Sequence, residues 1–174
     1  MKPLQPMSEK NIYILSMPIQ SGKTTGLQNW LSIHPQKTIS GFLTPDVDGK
    51  RKVLELPDNN IIDFEVAEAG NDIINIGRFY FKNTVFKSLK AAIKRYINSK
   101  PDWIVIDEIG PLEINKNDGF EPEFSTLVDQ VKQADSKTKL LVVVRSSMLF
   151  DFLEKYQLKN DALVFNRSFF LLHS

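Results

Sequence analysis

The chain has 174 residues, of which 42% are hydrophobic and 25% are charged, a composition typical of one globular domain. Its 22 Lys and Arg residues nearly balance 21 Asp and Glu residues, so the overall charge does not indicate nucleic acid or an anionic membrane as a partner. Cysteine is absent, which excludes disulfides, thiolate metal sites and a cysteine nucleophile.

The N-terminal segment, residues 1–18, carries prolines and charges where a secretion signal would need an unbroken apolar stretch. No segment approaches the roughly 20 apolar residues of a membrane span. We therefore expect a cytoplasmic protein without a membrane partner, in which residues 1–10 form a polar tail on a single domain.

Apolar strands alternate with amphipathic helices along the chain. Short apolar runs predict strands at 11–16, 38–43, 103–106, 139–144 and 162–165. Helical spacing of apolar residues predicts helices at 23–32, from 83 to shortly before Pro101, near 124–131 and around 148–156. This alternation indicates the α/β class, with a mostly parallel central sheet covered by helices on both faces in three layers.

Three local features refine this arrangement. Asp48-Gly49 predicts a hairpin because both residues tolerate positive φ, and the region from about 40 to 81 is expected to be an antiparallel extension at one edge of the sheet. Asn83 is predicted to cap the helix that follows it. Residues 109–122, rich in Gly, Pro, Asn and Asp, are expected to form a long loop.

A phosphate-binding loop is predicted between the first strand and the first helix. The pattern G-x-x-x-x-G-K-S/T is matched in its second half by Gly22-Lys23-Thr24, whereas Met17 replaces the leading glycine. Backbone N–H groups at the helix N-terminus bind phosphate, Lys23 adds a positive charge, and the Thr24 hydroxyl is suited to Mg²⁺. The predicted phosphate-binding residues are Pro18, Ile19, Gln20, Ser21, Gly22, Lys23, Thr24 and Thr25.

An acidic pair follows the buried strand at 103–106. Asp107 at the carboxyl end of that strand is expected to hold Mg²⁺ together with Thr24, and Glu108 to act as a general base on water. A strand followed by two acids is common, but its combination with GKTT is far more specific. A carboxylate next to the metal-binding Asp favours hydrolysis, and NTPases of this kind usually place another strand between the loop strand and the acidic strand.

The ordered motifs resemble the THEP1-type nucleoside-triphosphatases, a P-loop family with broad nucleotide hydrolysis. The resemblance covers residues from about 11 to 166 and is carried by five segments: GKTT, GFLTPDVDGKR, IGRFYF, WIVIDEIGPLE and VVVR. It implies that Lys23 and Thr24 contact phosphate and Mg²⁺, with Asp107 and Glu108 as the metal-side acid and the base. Met17 departs from the family's leading glycine.

Several other residues have both a functional and a structural interpretation. Arg145, at the end of the strand at 139–144, either stabilises the γ-phosphate or pairs with a loop acid. Arg51 and Arg78 are expected to be structural. Glu113 either positions the loop at 109–122 or caps a turn. Residues 79–81 (Phe-Tyr-Phe) are expected to be core rather than a platform for a base.

The predicted function is Mg²⁺-dependent hydrolysis of a nucleoside triphosphate, ATP or GTP with a broad choice of base, to the diphosphate and phosphate. The catalytic residues would be Glu108, Lys23 and Arg145. Turnover is expected to be slow unless a protein partner completes the site, because the sequence reveals no arginine finger. The alternatives are a nucleotide-binding module with vestigial hydrolysis, favoured by Met17, and less readily a small-molecule or nucleotide kinase.

Overall fold

The computed structural model describes residues 10–18 and 22–166, apart from the side chain of Lys23. Its strands are β1 (Ile12–Met17), β2 (Ile39–Leu43), β3 (Asp46–Val47), β4 (Lys50–Leu56), β5 (Ile61–Asp63), β6 (Glu65–Val66), β7 (Ile73–Ile76), β8 (Phe79–Lys82), β9 (Trp103–Ile109), β10 (Lys139–Arg145) and β11 (Ala162–Phe165). The α-helices are α1 (Lys23–Ser32), α2 (Asn83–Ser99), α3 (Pro111–Lys116), α4 (Glu123–Val131) and α5 (Leu149–Lys155). The expected tail at residues 1–10 lies almost wholly outside the described residues.

The main sheet has the order β11-β1-β10-β9-β2-β4-β3, with β5 paired to β4. The strands from β11 to β2 run parallel to one another, which confirms the predicted α/β class. Strand β10 lies between β1 and β9, as expected for an NTPase with an additional glutamate. The carboxyl ends of β1, β9, β10 and β2 therefore meet at one edge, where ligands of such sheets bind.

Neighbouring side chains on a strand point to opposite faces of the sheet, and both faces of the parallel strands are buried under helices. Ile12 and Ile14 of β1 belong to the larger core, together with α2 and α4. Tyr13 and Leu15 belong to a second cluster, where the apolar side of α1 packs. Helix α1 thus lies on one face of the sheet, and α2 and α4 lie on the other.

The predicted antiparallel region is confirmed. Strands β3, β4 and β5 pair antiparallel at the edge, with a hairpin turn at Asp48 (φ 55°) and Gly49 (φ 77°). Strands β6, β8 and β7 are also antiparallel, but they form a separate three-stranded sheet instead of continuing the edge of the main sheet as expected. The chain leaves the main sheet at Phe64, whose buried ring packs on Phe86 of α2 with centroids 5.0 Å apart.

Two local predictions were also wrong. Asn83 does not cap α2, because its side-chain amide donates a hydrogen bond to Asp72 Oδ1 (2.7 Å) and Lys82 occupies the N-cap position. The expected loop at 109–122 contains helix α3, which begins at Pro111, a residue whose fixed φ suits the first helical turn. Within residues 10–18 and 22–166, no helix has both the length and the apolar character to cross a membrane.

Candidate active site

The end of β1 and the start of α1 have the geometry expected around a phosphate-binding loop. Gly22 adopts the left-handed conformation (φ 79°) directly before the first helical residue, a conformation that favours glycine. Met17 is buried at the end of β1. Pro18 and Thr25 are exposed beside the turn, whereas Ile19, Gln20, Ser21 and the side chain of Lys23 lie outside the described residues.

Thr24 and Asp107 meet where α1 begins and β9 ends. The Thr24 hydroxyl donates a hydrogen bond to Asp107 Oδ2 (3.1 Å), and the same oxygen accepts the backbone N–H of Thr44 at 2.9 Å. Asp107 is 2% exposed. Burial raises the pKa of this carboxyl above its ordinary value, although the Thr44 N–H works in the opposite direction. The hydrogen bonds that Asp107 accepts come from uncharged groups of Thr24 and Thr44, so this buried acid is suited to a cation that would neutralise it.

These two residues fit the predicted Mg²⁺ site. Hydroxyl and carboxylate oxygens are the ligands that Mg²⁺ prefers, and the ion usually takes only one or two from the protein, with water and phosphate oxygens completing its shell. In the part of the chain that the structure describes, no group of three or more His, Cys, Asp or Glu side chains could hold a metal. Thr24 and Asp107 offer two oxygen ligands, which is the number that Mg²⁺ usually takes from a protein.

Glu108 lies between two arginines. Arg51 Nη1 on β4 is 2.8 Å from Glu108 Oε2, and the guanidinium of Arg145 at the end of β10 binds Oε1. Glu108 has a positive φ of 69°, which is unusual for a side chain other than glycine, asparagine or aspartate. Such backbone strain is typical of functional sites, where surrounding contacts hold the residue in place.

The two guanidinium groups control the charge of Glu108. Burial alone would raise its pKa, but Arg51 and then Arg145 outweigh that effect and hold the pKa below its ordinary value. Glu108 is therefore ionised at neutral pH, and both of its oxygens are engaged. The two ion pairs make this carboxylate a weaker base, so the loss of either arginine contact would increase its tendency to accept a proton from water.

Of the three arginines considered from the sequence, Arg51 and Arg145 converge on the acidic pair. Register places Arg145 opposite Met17, so β10 brings it to the edge where the phosphate-binding loop begins. Arg51, expected from the sequence to be structural, forms an ion pair with Glu108. The pairing of β4 with β2 brings it to β9, after the predicted Asp48-Gly49 turn.

Glu113 is a buried capping residue. Its carboxylate accepts the backbone N–H groups of Gly110 (3.0 Å) and Phe120 (3.1 Å), joining the first turn of α3 to the segment before α4. Burial raises its pKa to about 7, against the effect of those two N–H groups. The geometry supports the capping interpretation, and Glu113 fixes the segment that directly follows Glu108.

The parallel sheet order and the Gly22 turn before α1, with Thr24 next to Asp107, define a P-loop NTPase. A family model described as NTPase matches residues 12–168. The nucleoside-triphosphatase THEP1 of Sulfurisphaera tokodaii is 31% identical over 140 residues, covering 74% of this chain and 76% of that protein. The chain belongs to the THEP1-type nucleoside-triphosphatase family.

The fold agrees with that assignment. The crystal structure of THEP1 from the hyperthermophile Aquifex aeolicus superimposes with a TM-score of 0.68, covering 89% of this chain and 88% of that one. Sequence identity between the two is 18%, so this likeness supports the fold alone.

Proposed function

We propose that this chain hydrolyses nucleoside triphosphates, ATP and GTP among them and with little selection for the base, to the diphosphate and phosphate in a Mg²⁺-dependent reaction. The observation that carries the proposal is the position of the Glu108 carboxylate. It lies between two guanidinium groups and directly after Asp107, the acid that contacts Thr24.

The binding step uses the loop and the metal-side pair. We infer that the backbone N–H groups from Pro18 to Thr25 surround the β- and γ-phosphates and that Lys23 adds a positive charge. Thr24 and Asp107 would hold Mg²⁺, and the bound ion would withdraw charge from the β- and γ-phosphate oxygens. The raised pKa of Asp107 supports this role, because a buried carboxylate is destabilised until a cation neutralises it.

The hydrolytic step uses Glu108. A water molecule attacks the γ-phosphorus in line with the bond to the leaving oxygen, and Glu108 accepts the proton that this water loses. The bond between the γ-phosphorus and the β–γ bridging oxygen breaks, and its electron pair stays with the diphosphate. Inorganic phosphate and the nucleoside diphosphate are the products.

Arg51 and Arg145 are both candidates to stabilise the γ-phosphate from within the chain, and the sequence predicted this role for Arg145 alone. Their side chains are about one-third exposed, at 31% and 32%, so either can turn without disturbing the core. A γ-phosphate next to Glu108 offers more negative charge than one carboxylate. We infer that at least one guanidinium moves from Glu108 to the phosphate, which frees the base and stabilises the charge of the transition state together.

The test is phosphate release from ATP, GTP, CTP and UTP by the purified chain, with Mg²⁺ and again with EDTA. Release from several of the four nucleotides that stops in EDTA would support the proposal. Nucleotide binding without release would instead favour the binding module, which the replacement of the leading glycine by Met17 also motivates.

A further inference from the structure

A cavity of about 260 Å³ opens beside Glu108 and Arg145, on the side of the sheet away from α1. A single water molecule takes up about 30 Å³, so an attacking water needs only a small part of this space. The volume is slightly below the usual range for drug-sized ligands, which indicates an organic molecule of one or two rings. The γ-phosphate and the attacking water would occupy the end lined by Asp107, Glu108 and Arg145, and this leaves the end near the β7–β8 hairpin without a role in hydrolysis.

Phenylalanine rings line the part of the cavity near the β7–β8 hairpin. Rings follow one another from the β7–β8 hairpin to the start of α4, with centroid distances of 4.6 Å between Phe64 and Phe81 and 5.2 Å between Phe86 and Phe120. Phe79, less buried than these four, extends the series at the hairpin end. Aromatic faces and edges bind flat rings by stacking, and they offer nothing to a phosphate chain.

One arginine of the cavity is left for an anion. Arg51, Arg78 and Arg145 line the cavity together with the carboxyl groups of Asp107, Glu108 and Glu113. Arg51 and Arg145 both pair with Glu108. Arg78 is exposed in the β7–β8 turn with its Cζ 4.9 Å from the Phe79 ring centroid. Within the described residues no carboxylate lies within ion-pair distance of Arg78. A guanidinium on an aromatic face is suited to an anionic group attached to a ring.

We propose that this cavity binds a second small molecule, a flat aromatic anion, whose ring packs among the phenylalanines and whose anionic group binds Arg78. The inference rests on the proposed function in one respect, since it takes the γ-phosphate to lie beside Glu108. With the γ-phosphate at Glu108, the α- and β-phosphates would separate the nucleoside from the cavity. The part of the cavity lined by phenylalanines is then left for another molecule. Helix α1 packs on the opposite face of the sheet, in agreement with this separation.

The probe is 2-naphthoate, titrated into the full chain without nucleotide and followed by calorimetry. Binding of one equivalent is expected with a Kd on the order of 0.1–1 mM, as for an efficient ligand of about a dozen heavy atoms. Arg78→Gln should weaken it by about tenfold or more, because a charge-assisted hydrogen bond is lost. Arg95, on α2, is also exposed, and the Arg95→Gln variant should bind 2-naphthoate as wild type does.

Two further experiments test the role of the charge and distinguish this cavity from the nucleotide site. The uncharged 2-naphthamide should bind wild type and Arg78→Gln equally, and saturating Mg²⁺–ADP should not displace 2-naphthoate. The proposal is overturned by the absence of saturable binding, by equal affinity of Arg78→Gln and wild type for 2-naphthoate, or by displacement with Mg²⁺–ADP. Phosphate release is measured separately, so a failure of this inference leaves the hydrolysis result standing, and the converse also holds.

Discussion

The Nη1 atom of Arg51 lies 2.8 Å from Oε2 of Glu108, although 57 positions separate the two residues in the sequence. The turn at Asp48-Gly49 sends β4 back along β2, and this pairing places Arg51 at the carboxyl edge of the sheet. Arg145 binds the other carboxylate oxygen. The proposed base is thus held by two positive charges, each of which a γ-phosphate could attract.

Replacing Arg51 by glutamine should reduce turnover by about 100-fold or more, because arginines that stabilise a transferring phosphoryl group act mainly in the transition state. Affinity for Mg²⁺–ADP should change little, since ADP lacks the γ-phosphate. Phosphate release and calorimetric Kd, measured on the same preparation, check both expectations.

Lys52→Gln is the matched control for Arg51→Gln. Lys52 follows Arg51 on the same strand, but its ammonium group pairs with Asp63 at 3.0 Å, away from the acidic pair. Its replacement should leave turnover near the wild-type value. Equal rates for Arg51→Gln and wild type would show that Arg51 only anchors the hairpin.

Replacing Asp107 by asparagine should separate metal binding from folding. Without ligand, the variant should unfold at the wild-type temperature or above it, because a buried charge is removed while an oxygen remains to accept the Thr44 N–H. Saturating Mg²⁺–ADP should raise the Tm of wild type by ligand linkage and that of the variant far less.

Thermal unfolding with and without Mg²⁺–ADP measures this difference. Asp102→Asn is the control, since Asp102 precedes the opposite end of β9 and its carboxylate accepts the backbone N–H of Thr38. That variant should keep the ligand-induced rise in Tm. If Asp107→Asn gains as much as wild type, Asp107 does not hold the metal.

Glu113 should make folding stability depend on pH. Its pKa rises from an ordinary 4.5 to about 7 on folding because the carboxyl is buried. The folded state therefore favours the protonated form. Protonated Glu113 therefore adds about 3 kcal/mol to the free energy of unfolding. This contribution is fully present below pH 4.5 and is lost as the pH rises through 7.

Glu113→Gln removes this titration. The free energy of unfolding of the variant, minus that of wild type, should grow by about 3 kcal/mol between pH 4.5 and pH 7 and then stay constant. Urea unfolding across this range measures it, with the exposed Glu68→Gln as control. A constant difference across the range would refute the buried titration of Glu113.

Much of the fold follows from periodicity. The parallel strands and α1, α2 and α4 were predictable because each has an apolar face long enough to identify. Helix α3 could not be predicted, because its six residues are too few to show a helical period. It also follows Gly110 and begins at Pro111, a pair of residues typical of loops. Its stability comes from the Glu113 cap and from buried Leu112, which are contacts that only the folded chain makes.

The candidate site was predictable where its residues are adjacent in sequence. Gly22-Lys23-Thr24 and Asp107-Glu108 carry local patterns that identify phosphate and metal chemistry. Arg51 ends the segment GFLTPDVDGKR, but its contact with Glu108 could not be predicted, because it depends on the pairing of β4 with β2 and strand register is set by tertiary contacts. The aromatic cavity was also missed, since the phenylalanines that line it come from distant segments of the sequence.

The most direct test of the account is Glu108→Gln. This variant keeps the shape of the side chain but cannot accept a proton, so phosphate release from Mg²⁺–ATP should fall by about 100-fold or more. Calorimetric affinity for Mg²⁺–ADP should stay within a few-fold of wild type, because the loop, Thr24 and Asp107 are unchanged. Equal rates of phosphate release by the variant and wild type would show that Glu108 is not the base and would contradict the proposed mechanism.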